Sequence, residues 1–492
     1  MGAGLAVEES HGIGGAQRDS DWSQWRLGVA GLGVAGYAAA DALLQLGASV
    51  RILESSVHGP VVQRAEVLGA LGAEVALGVD HAAPNAELFE GLDALVVSPG
   101  LPPAHPGITH ALAQGIPVWG ELELAWRLRS RVRAAEWLCI TGTNGKTTAT
   151  LMLESILRAD GLRVCSAGNI GNSLIDVVMH EELDAIAVEV GAPQLPFAFS
   201  LEPLAAACIN IAEDHIDHFG SFDAYRQAKA RIYRNCQRAA IYNEDEPLTR
   251  VMVENADVRE GCRAVGVTRG VPSVGNLGVV EGLLVDRAFI AERADAAAEL
   301  AEVDVIQPAA PHNVTNALIA AALARAAGVS SSAVRQGLES FTPAKHRIAT
   351  VGEVGGVRYV DDSKATNTHA ALASMKAYPR VVWIAGGLAK GQEFDEFVKE
   401  IGDRLVGVIL IGRDRGIIAS ALARHAPQVP VIDIAGTETN AMYQAVTGAA
   451  ALASSGDTVL LAPGCASWDM FRDYAERGDI FAAAVAELSH GH

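Results

Sequence analysis

Short apolar runs alternate along the chain with stretches of helical spacing from residue 26 onward. The runs are rich in β-branched residues, and the stretches between them are rich in Ala and Leu. This alternation is typical of βαβ units, in which helices connect parallel strands. The pattern therefore predicts an α/β fold built on parallel sheets.

The predicted strands and linkers divide the chain into a leader and three domains. Residues 1–25 are rich in Gly, Ala, Glu and Ser, and we expect a flexible leader there. Residues 26–133 form the first predicted domain, 134–344 the central domain and 345–492 the last. Three domains agree with a length of 492 residues, since one domain usually has 100–200. Residues 251–310 within the central domain are predicted to be strands and hairpins.

Composition and charge exclude several classes of partner. Half of the residues are apolar and a fifth are charged, which is a globular composition. The formal charge of −20 opposes binding to nucleic acid and to anionic membrane surfaces. Six cysteines are scattered singly, which is typical of reduced thiols, and no apolar run reaches the ~20 residues of a membrane span. We expect a cytoplasmic protein with no nucleic acid partner and no membrane insertion.

The strongest local signal is a glycine-containing loop between an apolar strand and a helix. It consists of Gly142, Thr143, Asn144, Gly145, Lys146, Thr147 and Thr148. Such glycines let backbone N–H groups face a phosphate, the lysine can neutralise the β- and γ-phosphates, and Thr147 can ligate Mg²⁺. The longer P-loop pattern is not met, because Ile140 stands where it requires glycine. The loop predicts ATP and Mg²⁺, and a chance glycine-rich turn is the alternative.

Two further stretches could place a metal site at the same sheet edge. Glu189 lies near the end of one predicted strand, and the acidic and imidazole stretch Glu213–His218 follows the next. Carboxylates suit Mg²⁺, and phosphoryl transfer needs neutralisation of developing charge. The alternative is a solvent-exposed loop with structural histidines.

A glycine-rich turn also opens the first domain. Gly31, Gly33 and Gly36, followed by Glu54, fit a dinucleotide-binding fingerprint, so an NAD-dependent dehydrogenase is one interpretation. The same turn can hold the pyrophosphate of any nucleotide. A third interpretation is that the glycines serve only close packing of helix on strand.

Taken together, these motifs resemble those of the Mur ligase family, ATP-dependent ligases that build the peptide stem of peptidoglycan. The resemblance covers nearly the whole chain from residue 26. Four stretches match family-wide motifs: Gly142–Thr147, Ala212–His215, Tyr225–Tyr233 and His312–Ala317. Two others resemble the D-glutamate-adding branch of the family: Val360–Asn367 and Cys465–Phe471.

The resemblance implies a Rossmann-like N-terminal domain, a central P-loop ATPase-like domain and a C-terminal Rossmann-like domain. It implies a ligase that joins D-glutamate to UDP-N-acetylmuramoyl-L-alanine through an acyl phosphate, with ATP and two Mg²⁺ ions, acting as a monomer. The implied catalytic residues are Lys146, His215 and Lys229, and Lys229 would carry a CO₂-derived carbamate. The implied metal ligands are Thr147, Glu189, His215 and Lys229.

The resemblance also assigns the substrate contacts. The nucleotide would be bound by the phosphate loop together with Asn313, Asn316, Arg347 and Asp362. The UDP-linked substrate would be bound by Gly31, Gly33, Gly36, Glu54, Ser55, Ser98, Pro99, Gly100, Asn169 and Gln194. D-Glutamate would be bound by Lys364, Thr366, Lys390, Ser467 and Tyr474.

The chain departs from the family pattern at two turns. After Glu189 the family usually has Ser-Ser-Phe-Gln, whereas this chain has Gly191, Ala192 and Pro193 before Gln194. The first turn has Val34-Ala35 in place of a hydroxyl residue.

Two other functions are alternatives to this interpretation. A folylpolyglutamate synthetase-like ligase would share the central motifs without needing the first domain. A non-catalytic nucleotide-binding module would not explain Lys229, Lys364 and Lys390.

Overall fold

The computed structural model describes residues 12–79, 86–170, 172–307, 310–343, 345–436 and 440–490. In these residues, strands alternate with helices in three sheets of five, nine and six strands, which confirms the predicted α/β class. The described residues up to Glu302, together with Thr315–Ser340, form one compact unit. Those of 303–314 and those from Phe341 onward form a second. Within this described part, no helix is both long and apolar enough to span a membrane.

The first sheet is parallel throughout and doubly wound. Its strands are β1 (Arg26–Ala30), β2 (Ser49–Glu54), β3 (Glu74–Leu77), β4 (Ala94–Val97) and β5 (Val118–Gly120). Its helices are α1 (Val34–Gln45), α2 (Pro60–Ala70), α3 (Pro106–Ala113) and α4 (Glu121–Leu128). The order β3-β2-β1-β4-β5 places a topological switch point at the carboxyl ends of β1 and β4, where ligands bind in open α/β sheets. The turn at Gly31 and the residue Ser98 follow these two strands.

Residues 12–25 pack against the rest of the first unit. They form two short 3-10 turns, Ile13–Gly15 and Trp22–Gln24, and the side chains of Ile13 and Trp22 are buried. The Trp22 indole Nε1 donates a hydrogen bond of 2.9 Å to the carbonyl of Gln17. The expected flexible leader is therefore wrong for residues 12–25, because buried apolar side chains hold this segment. Residues 1–11, the rest of that prediction, lie outside the described residues.

The second sheet has nine strands. They are β6 (Glu136–Thr141), β7 (Val164–Gly168), β8 (Ala185–Glu189), β9 (Ala205–Cys208), β10 (Ala239–Asn243), β11 (Arg263–Val267), β12 (Leu277–Val280), β13 (Leu283–Asp286) and β14 (Ala298–Glu302). Its helices are α5 (Lys146–Ala159), α6 (Leu174–His180), α7 (Ile216–Phe219), α8 (Phe222–Ala230), α9 (Pro247–Glu254), α10 (Pro311–Ala326) and α11 (Ser331–Glu339).

The order of this sheet, β14-β13-β12-β11-β10-β9-β6-β8-β7, puts β6 between β8 and β9. All three run parallel, so the loop after β6, Glu189 on β8 and the segment after β9 share one edge. Antiparallel pairing of β12, β13 and β14 agrees with the strands and hairpins predicted in residues 251–310. The prediction is wrong at 251–254, which belong to helix α9, and positions 308–309 lie outside the described residues. The sheet thus assembles the predicted phosphate loop and its acidic neighbours.

The third sheet belongs to the second unit and has the order β15-β16-β20-β17-β18-β19. Its strands are β15 (Ala349–Val354), β16 (Val357–Asp361), β17 (Val381–Gly386), β18 (Leu405–Ile411), β19 (Val431–Asp433) and β20 (Thr458–Leu461). Its helices are α12 (Thr368–Lys376), α13 (Asp395–Ile401), α14 (Arg415–His425), α15 (Asn440–Leu452) and α16 (Tyr474–His490). The loops after β16 and β20 leave adjacent parallel strands, which brings together the two stretches that carry most of the predicted D-glutamate residues.

Candidate active site

The phosphate loop connects β6 to α5 through backbone conformations that require glycine. Gly145 has φ +81°, and a Cβ added there would lie 2.5 Å from the Oδ1 atom of Asn316 on α10. Any other residue would therefore displace the asparagine that was predicted to contact the nucleotide. The helix begins at Lys146, so its first N–H groups face the loop and favour an anion there.

Asn210, which the sequence analysis did not single out, holds the curl of this loop. Its Oδ1 accepts hydrogen bonds from the backbone N–H groups of Thr143 (3.0 Å) and Asn144 (2.9 Å). Its Nδ2 donates to the carbonyl of Asn144 at 3.1 Å. The residue follows β9, and the only signal in the sequence is a polar residue just past a strand that adjoins β6.

Two lysine side chains converge on one carbonyl of the loop. The Nζ of Lys146 donates to the carbonyl of Gly142 at 2.9 Å and to that of Thr143 at 3.0 Å. The Nζ of Lys229, on α8, donates to the same Gly142 carbonyl at 2.7 Å and to the Thr141 Oγ1 at 3.3 Å. Two predicted catalytic residues, 83 positions apart in the chain by their numbers, therefore meet at the loop.

Lys229 is buried, with 1 % of its surface exposed, and its Nζ lies 4.9 Å from the centroid of the Tyr225 ring. Burial, followed by the nearby charge of Lys146, lowers the pKa of Lys229 to about 7. Loss of water disfavours the ammonium form, and a second cation disfavours it further. The side chain is thus poised between ammonium and neutral amine near neutral pH.

The predicted metal ligands Thr147 and Glu189 are in direct contact. The Thr147 Oγ1 donates to the Glu189 Oε2 at 2.6 Å, and the Asn169 Nδ2 donates to the Oε1 at 2.9 Å. A hydroxyl beside a carboxylate is an oxygen donor set that fits Mg²⁺. The described residues contain no group of three or more His, Cys, Asp or Glu side chains suited to a metal. Phosphate oxygens and water would have to complete the shell, as Mg²⁺ usually requires.

His215 lies apart from these contacts. Its side chain is about half exposed, its Nε2 lies 3.7 Å from the Asp214 Oδ2, and its ring centroid is 6.3 Å from that of Tyr225. The backbone at His215 has φ +53°, an unusual conformation for a non-glycine residue, and it starts α7. Among the described residues, no hydrogen bond joins His215 to Lys229 or Glu189, so its assignment as a metal ligand stays a prediction.

The remaining predicted nucleotide residues divide between the two units. Asn316 lies against the loop of the first unit, whereas Asn313, Arg347 and Asp362 belong to the second. Asp362 follows β16 and accepts a short hydrogen bond from the Ser374 hydroxyl. Burial raises the pKa of Asp362 to about 7, against the opposing effects of the Ser374 hydrogen bond and the Arg347 charge.

At the switch point of the first sheet, packing itself requires the glycines. A Cβ at Gly36 would lie 1.8 Å from the Gly31 carbonyl oxygen, and one at Gly31, with φ +87°, would lie 2.9 Å from the Ser98 Cβ. Glu54 Oε2 accepts the Leu32 N–H at 2.6 Å. Glu54 therefore braces the turn. Gly33, Ser55, Pro99 and Gly100 lie in the turn or just after β2 and β4.

Two residues predicted to contact the UDP-linked substrate lie in connections of the second sheet, Asn169 just after β7 and Gln194 in a 3-10 turn after β8. Asn169 bonds to Glu189, so the structure places it beside the candidate metal ligands. Gln194 is buried, accepts the Gly191 N–H at 2.8 Å and donates to the Glu121 Oε2 at 3.3 Å. Burial raises the pKa of Glu121, which lies on α4 of the first sheet. Gln194 thus connects the elements of the two sheets rather than pointing freely into solvent.

Aromatic rings hold the two lysines predicted to bind D-glutamate in the second unit. The Nζ of Lys364 lies 3.9 Å from the centroid of the Tyr474 ring, and that of Lys390 lies 4.0 Å from the Trp468 ring. Ser467 is buried in the loop after β20. Thr366, in the loop after β16, donates its N–H to the Lys364 carbonyl at 2.8 Å.

Arg477, on α16, ties these two loops together and was not singled out from the sequence. Its Nε and Nη2 donate to the Oγ and the carbonyl of Ser363 at 2.9 and 2.7 Å. Its Nη1 donates to the Cys465 carbonyl at 3.1 Å. The side chain is 1 % exposed, and burial lowers the pKa of Arg477 to about 10. An arginine on an amphipathic helix gives no signal in the sequence that it is buried.

Comparison with known proteins identifies the family. Residues 26–120 match the N-terminal domain model described as Mur ligase MurD-like, residues 140–324 the Mur ligase middle domain, and residues 346–465 the Mur ligase glutamate ligase domain. The MurD-like match to the first sheet argues against the dehydrogenase and folylpolyglutamate synthetase alternatives.

Relatives and solved structures agree with these matches. The UDP-N-acetylmuramoylalanine–D-glutamate ligase of Streptomyces coelicolor is 54 % identical over 472 residues, covering 95 % of this chain and 99 % of the relative. That of Streptomyces avermitilis is 54 % identical over 470 residues, covering 95 % and 99 %. The crystal structure of UDP-N-acetylmuramate-alanine ligase MurC from Thermotoga maritima shares the fold, with a TM-score of 0.55 at 17 % identity over 94 % of this chain and 100 % of that one. This chain therefore belongs to the Mur ligase family.

Proposed function

We propose that this chain is an ATP-dependent ligase that joins D-glutamate to UDP-N-acetylmuramoyl-L-alanine in peptidoglycan precursor synthesis. The relatives that carry this activity in their names align with it from end to end. The observation that carries the chemistry is the convergence of Lys146 and Lys229 on the Gly142 carbonyl, beside the Thr147–Glu189 pair. The two lysine amino groups and the oxygens of Thr147 and Glu189 then surround the position that the loop geometry gives to the γ-phosphate of ATP.

In this proposal the phosphate loop binds ATP, and the alanine carboxylate of the UDP-linked substrate attacks the γ-phosphorus, giving an acyl phosphate and ADP. Thr147 and Glu189 would hold the metal, and Mg²⁺ would supply neutralisation of the charge on the phosphoryl oxygens. Lys146 stabilises the same charge through its ammonium group. The D-glutamate amine then attacks the acyl carbon, and phosphate leaves as the amide forms.

Lys229 would act as its carbamate. The neutral amine nitrogen attacks CO₂, a proton is released, and the product is an anionic oxygen ligand that suits Mg²⁺. The lowered pKa of Lys229 supports this assignment, because only the neutral amine reacts. His215 would join the metal ligands through the neighbouring loop.

D-Glutamate would bind to the second unit, between the loops after β16 and β20. Its two carboxylates need cationic and hydroxyl partners in a chain whose formal charge is −20. The Nζ atoms of Lys364 and Lys390 lie over aromatic rings. These cation–π contacts restrict the rotamers of the two side chains and so keep each positive charge beside its ring. Ser467, in the loop after β20, supplies a buried hydroxyl.

The UDP moiety would bind at the switch point of the first sheet, where Glu54 has already fixed the Gly31 turn. We further propose that the enzyme works as a monomer in the cytoplasm on small-molecule substrates. Its six cysteines, none of which forms a disulfide in the described structure, agree with a reducing compartment.

Isotope transfer tests the acyl phosphate step directly. UDP-N-acetylmuramoyl-L-alanine labelled with ¹⁸O in the alanine carboxylate is incubated with ATP, Mg²⁺ and D-glutamate, and the released phosphate is analysed by mass spectrometry. The mechanism predicts one ¹⁸O atom in each phosphate. Unlabelled phosphate would show that water, and not the carboxylate, attacks ATP.

A further inference from the structure

A cavity of about 720 Å³ lies in the first unit. Of the stretches predicted to bind a metal, only Glu213–His218 reaches it, through His218, and none of the residues assigned individually to substrate, nucleotide or metal lines it. One wall is the loop Pro102–Pro106 between β4 and α3, and another is Pro196. The third wall comes from the end of α7, with Phe219, and from α8. Cavities of this size commonly hold small organic ligands.

The cavity is apolar apart from a few polar groups. Proline rings, Phe219, Ala224 and Ala228 form much of its lining, and Arg231 is the one Lys or Arg side chain among the lining residues, all of which the structure describes. A ligand that fits it therefore needs an apolar body and an anionic end.

The Arg231 guanidinium lacks the partners that a half-buried cation usually has. Its Nε is buried and has no hydrogen-bond partner in the described structure. No carboxylate of the described residues forms an ion pair with it, the Phe199 ring lies 5.6 Å from the guanidinium carbon, and burial together with the charge of Arg234 lowers the pKa of Arg231. A buried donor without a hydrogen-bond partner is unfavourable, so a bound anion would stabilise the Arg231 guanidinium.

We propose that this cavity is a second small-molecule site, which binds an organic carboxylate with its charged end on Arg231 and its apolar body against the prolines and Phe219. Arg231 is the one permanent cation among the lining residues, and a single permanent cation matches a monoanionic carboxylate better than a phosphate dianion.

The position of the cavity gives the site a means of influencing catalysis. Ala224 and Ala228 recur at helical spacing on the cavity side of α8, and Arg231 follows directly in the 3-10 turn Arg231–Tyr233, whereas Lys229 points to the phosphate loop. The α7 wall begins directly after His215. An occupant would therefore contact the helix that carries Lys229 and the helix that directly follows His215. The site itself does not depend on the proposed ligase activity.

Calorimetry on the full chain tests the site with 2-naphthoate as the probe. We expect one molecule to bind per chain, with at least tenfold lower affinity for the uncharged 2-naphthamide, since a charge-assisted hydrogen bond is lost. Arg231→Gln should weaken binding of 2-naphthoate at least tenfold. Arg234→Gln, which removes an equal charge from an exposed neighbour, should not. Ala224→Leu, which fills the cavity from α8, should also weaken it.

The same titration is repeated with saturating UDP-N-acetylmuramoyl-L-alanine and Mg–ADP. Unchanged affinity would establish a site separate from the substrates, whereas competition with either would overturn the proposal. Failure of the wild-type chain to bind the probe, or equal binding by the Arg231→Gln variant, would overturn it as well. None of these outcomes depends on turnover, so they are distinguishable from failure of the proposed activity.

Discussion

Lys229 is the residue whose chemistry depends most on its surroundings. On an exposed helix it would be a permanent cation, but here it is buried and shares a carbonyl with a second lysine. Both effects favour the neutral amine. Motif resemblance selected this residue in the sequence, because helical periodicity alone does not distinguish it from a surface lysine.

Replacing Lys229 by Ala should reduce turnover at least a hundredfold without unfolding the chain, because the proposed metal ligand is lost. Acetate should restore part of the activity by filling the vacated oxygen position. Initial rates with and without acetate, and circular dichroism for the fold, provide the measurements. Lys376→Ala, which removes an exposed lysine paired with Glu400, is the matched control.

Depletion of dissolved CO₂ should slow the wild-type enzyme and leave the Lys229→Ala variant rescued by acetate unaffected. Near-normal turnover of the alanine variant without acetate would refute the assignment of Lys229.

Other residues show which parts of a site can be predicted from sequence. Gly145 and Lys146 were predictable because phosphate binding restricts both backbone conformation and charge. Asn210 and Arg477 were not, because their function is to fix other backbone segments. That role depends on which loops meet in the folded chain, and an asparagine or arginine in the sequence does not indicate it.

At the scale of elements, the N-terminal segment connects two sheets. Arg18 donates from Nη1 and Nη2 to the carbonyls of Val178 and Met179, both at 2.8 Å, at the end of α6. Its backbone N–H donates to the carbonyl of Arg127 on α4. A cation at a helix C-terminus satisfies carbonyls that lack intrahelical partners. This role could not be predicted from the sequence, because the few apolar residues here have no helical or strand period.

Arg18→Ala should lower the free energy of unfolding of the first unit by about 1–3 kcal/mol, the usual effect of losing charged hydrogen bonds to buried carbonyls. Urea denaturation followed by fluorescence measures the change. Arg133→Ala, which removes an exposed arginine, should change it by less than about 0.5 kcal/mol. Equal stability of the Arg18 variant and the wild type would show that the segment does not stabilise the unit.

The two loops of the second unit likewise depend on a single buried side chain. Arg477→Met keeps most of the side-chain volume but removes the hydrogen bonds to Ser363 and Cys465. We expect the KM for D-glutamate to rise at least tenfold, while the KM for UDP-N-acetylmuramoyl-L-alanine stays within twofold. Steady-state kinetics with each substrate varied in turn makes the comparison. A purely structural role would instead lower the amount of folded enzyme and leave both KM values unchanged.

At the scale of the whole molecule, each of the three sheets carries a different part of the candidate site at its edge. The sheet edges that carry the glycine turn, the phosphate loop and the β16 and β20 loops were all predictable, because short apolar strands followed by Gly, Ser or Asp are strong signals in α/β proteins. The contacts between the first two sheets could not be predicted in the same way. These sheets form one compact unit, and hydrogen bonds such as that from Gln194 to Glu121 connect their elements. Such networks join residues far apart in the chain.

A coupled ADP-release assay tests whether the chain catalyses the proposed ligation. The enzyme is supplied with ATP, Mg²⁺, UDP-N-acetylmuramoyl-L-alanine and either D-glutamate or L-glutamate, and each component is omitted in turn. We expect stoichiometric ADP, phosphate and amide product with D-glutamate only, and none when any component is absent. Equal turnover with L-glutamate, or with a folate acceptor in place of the UDP-linked substrate, would contradict it.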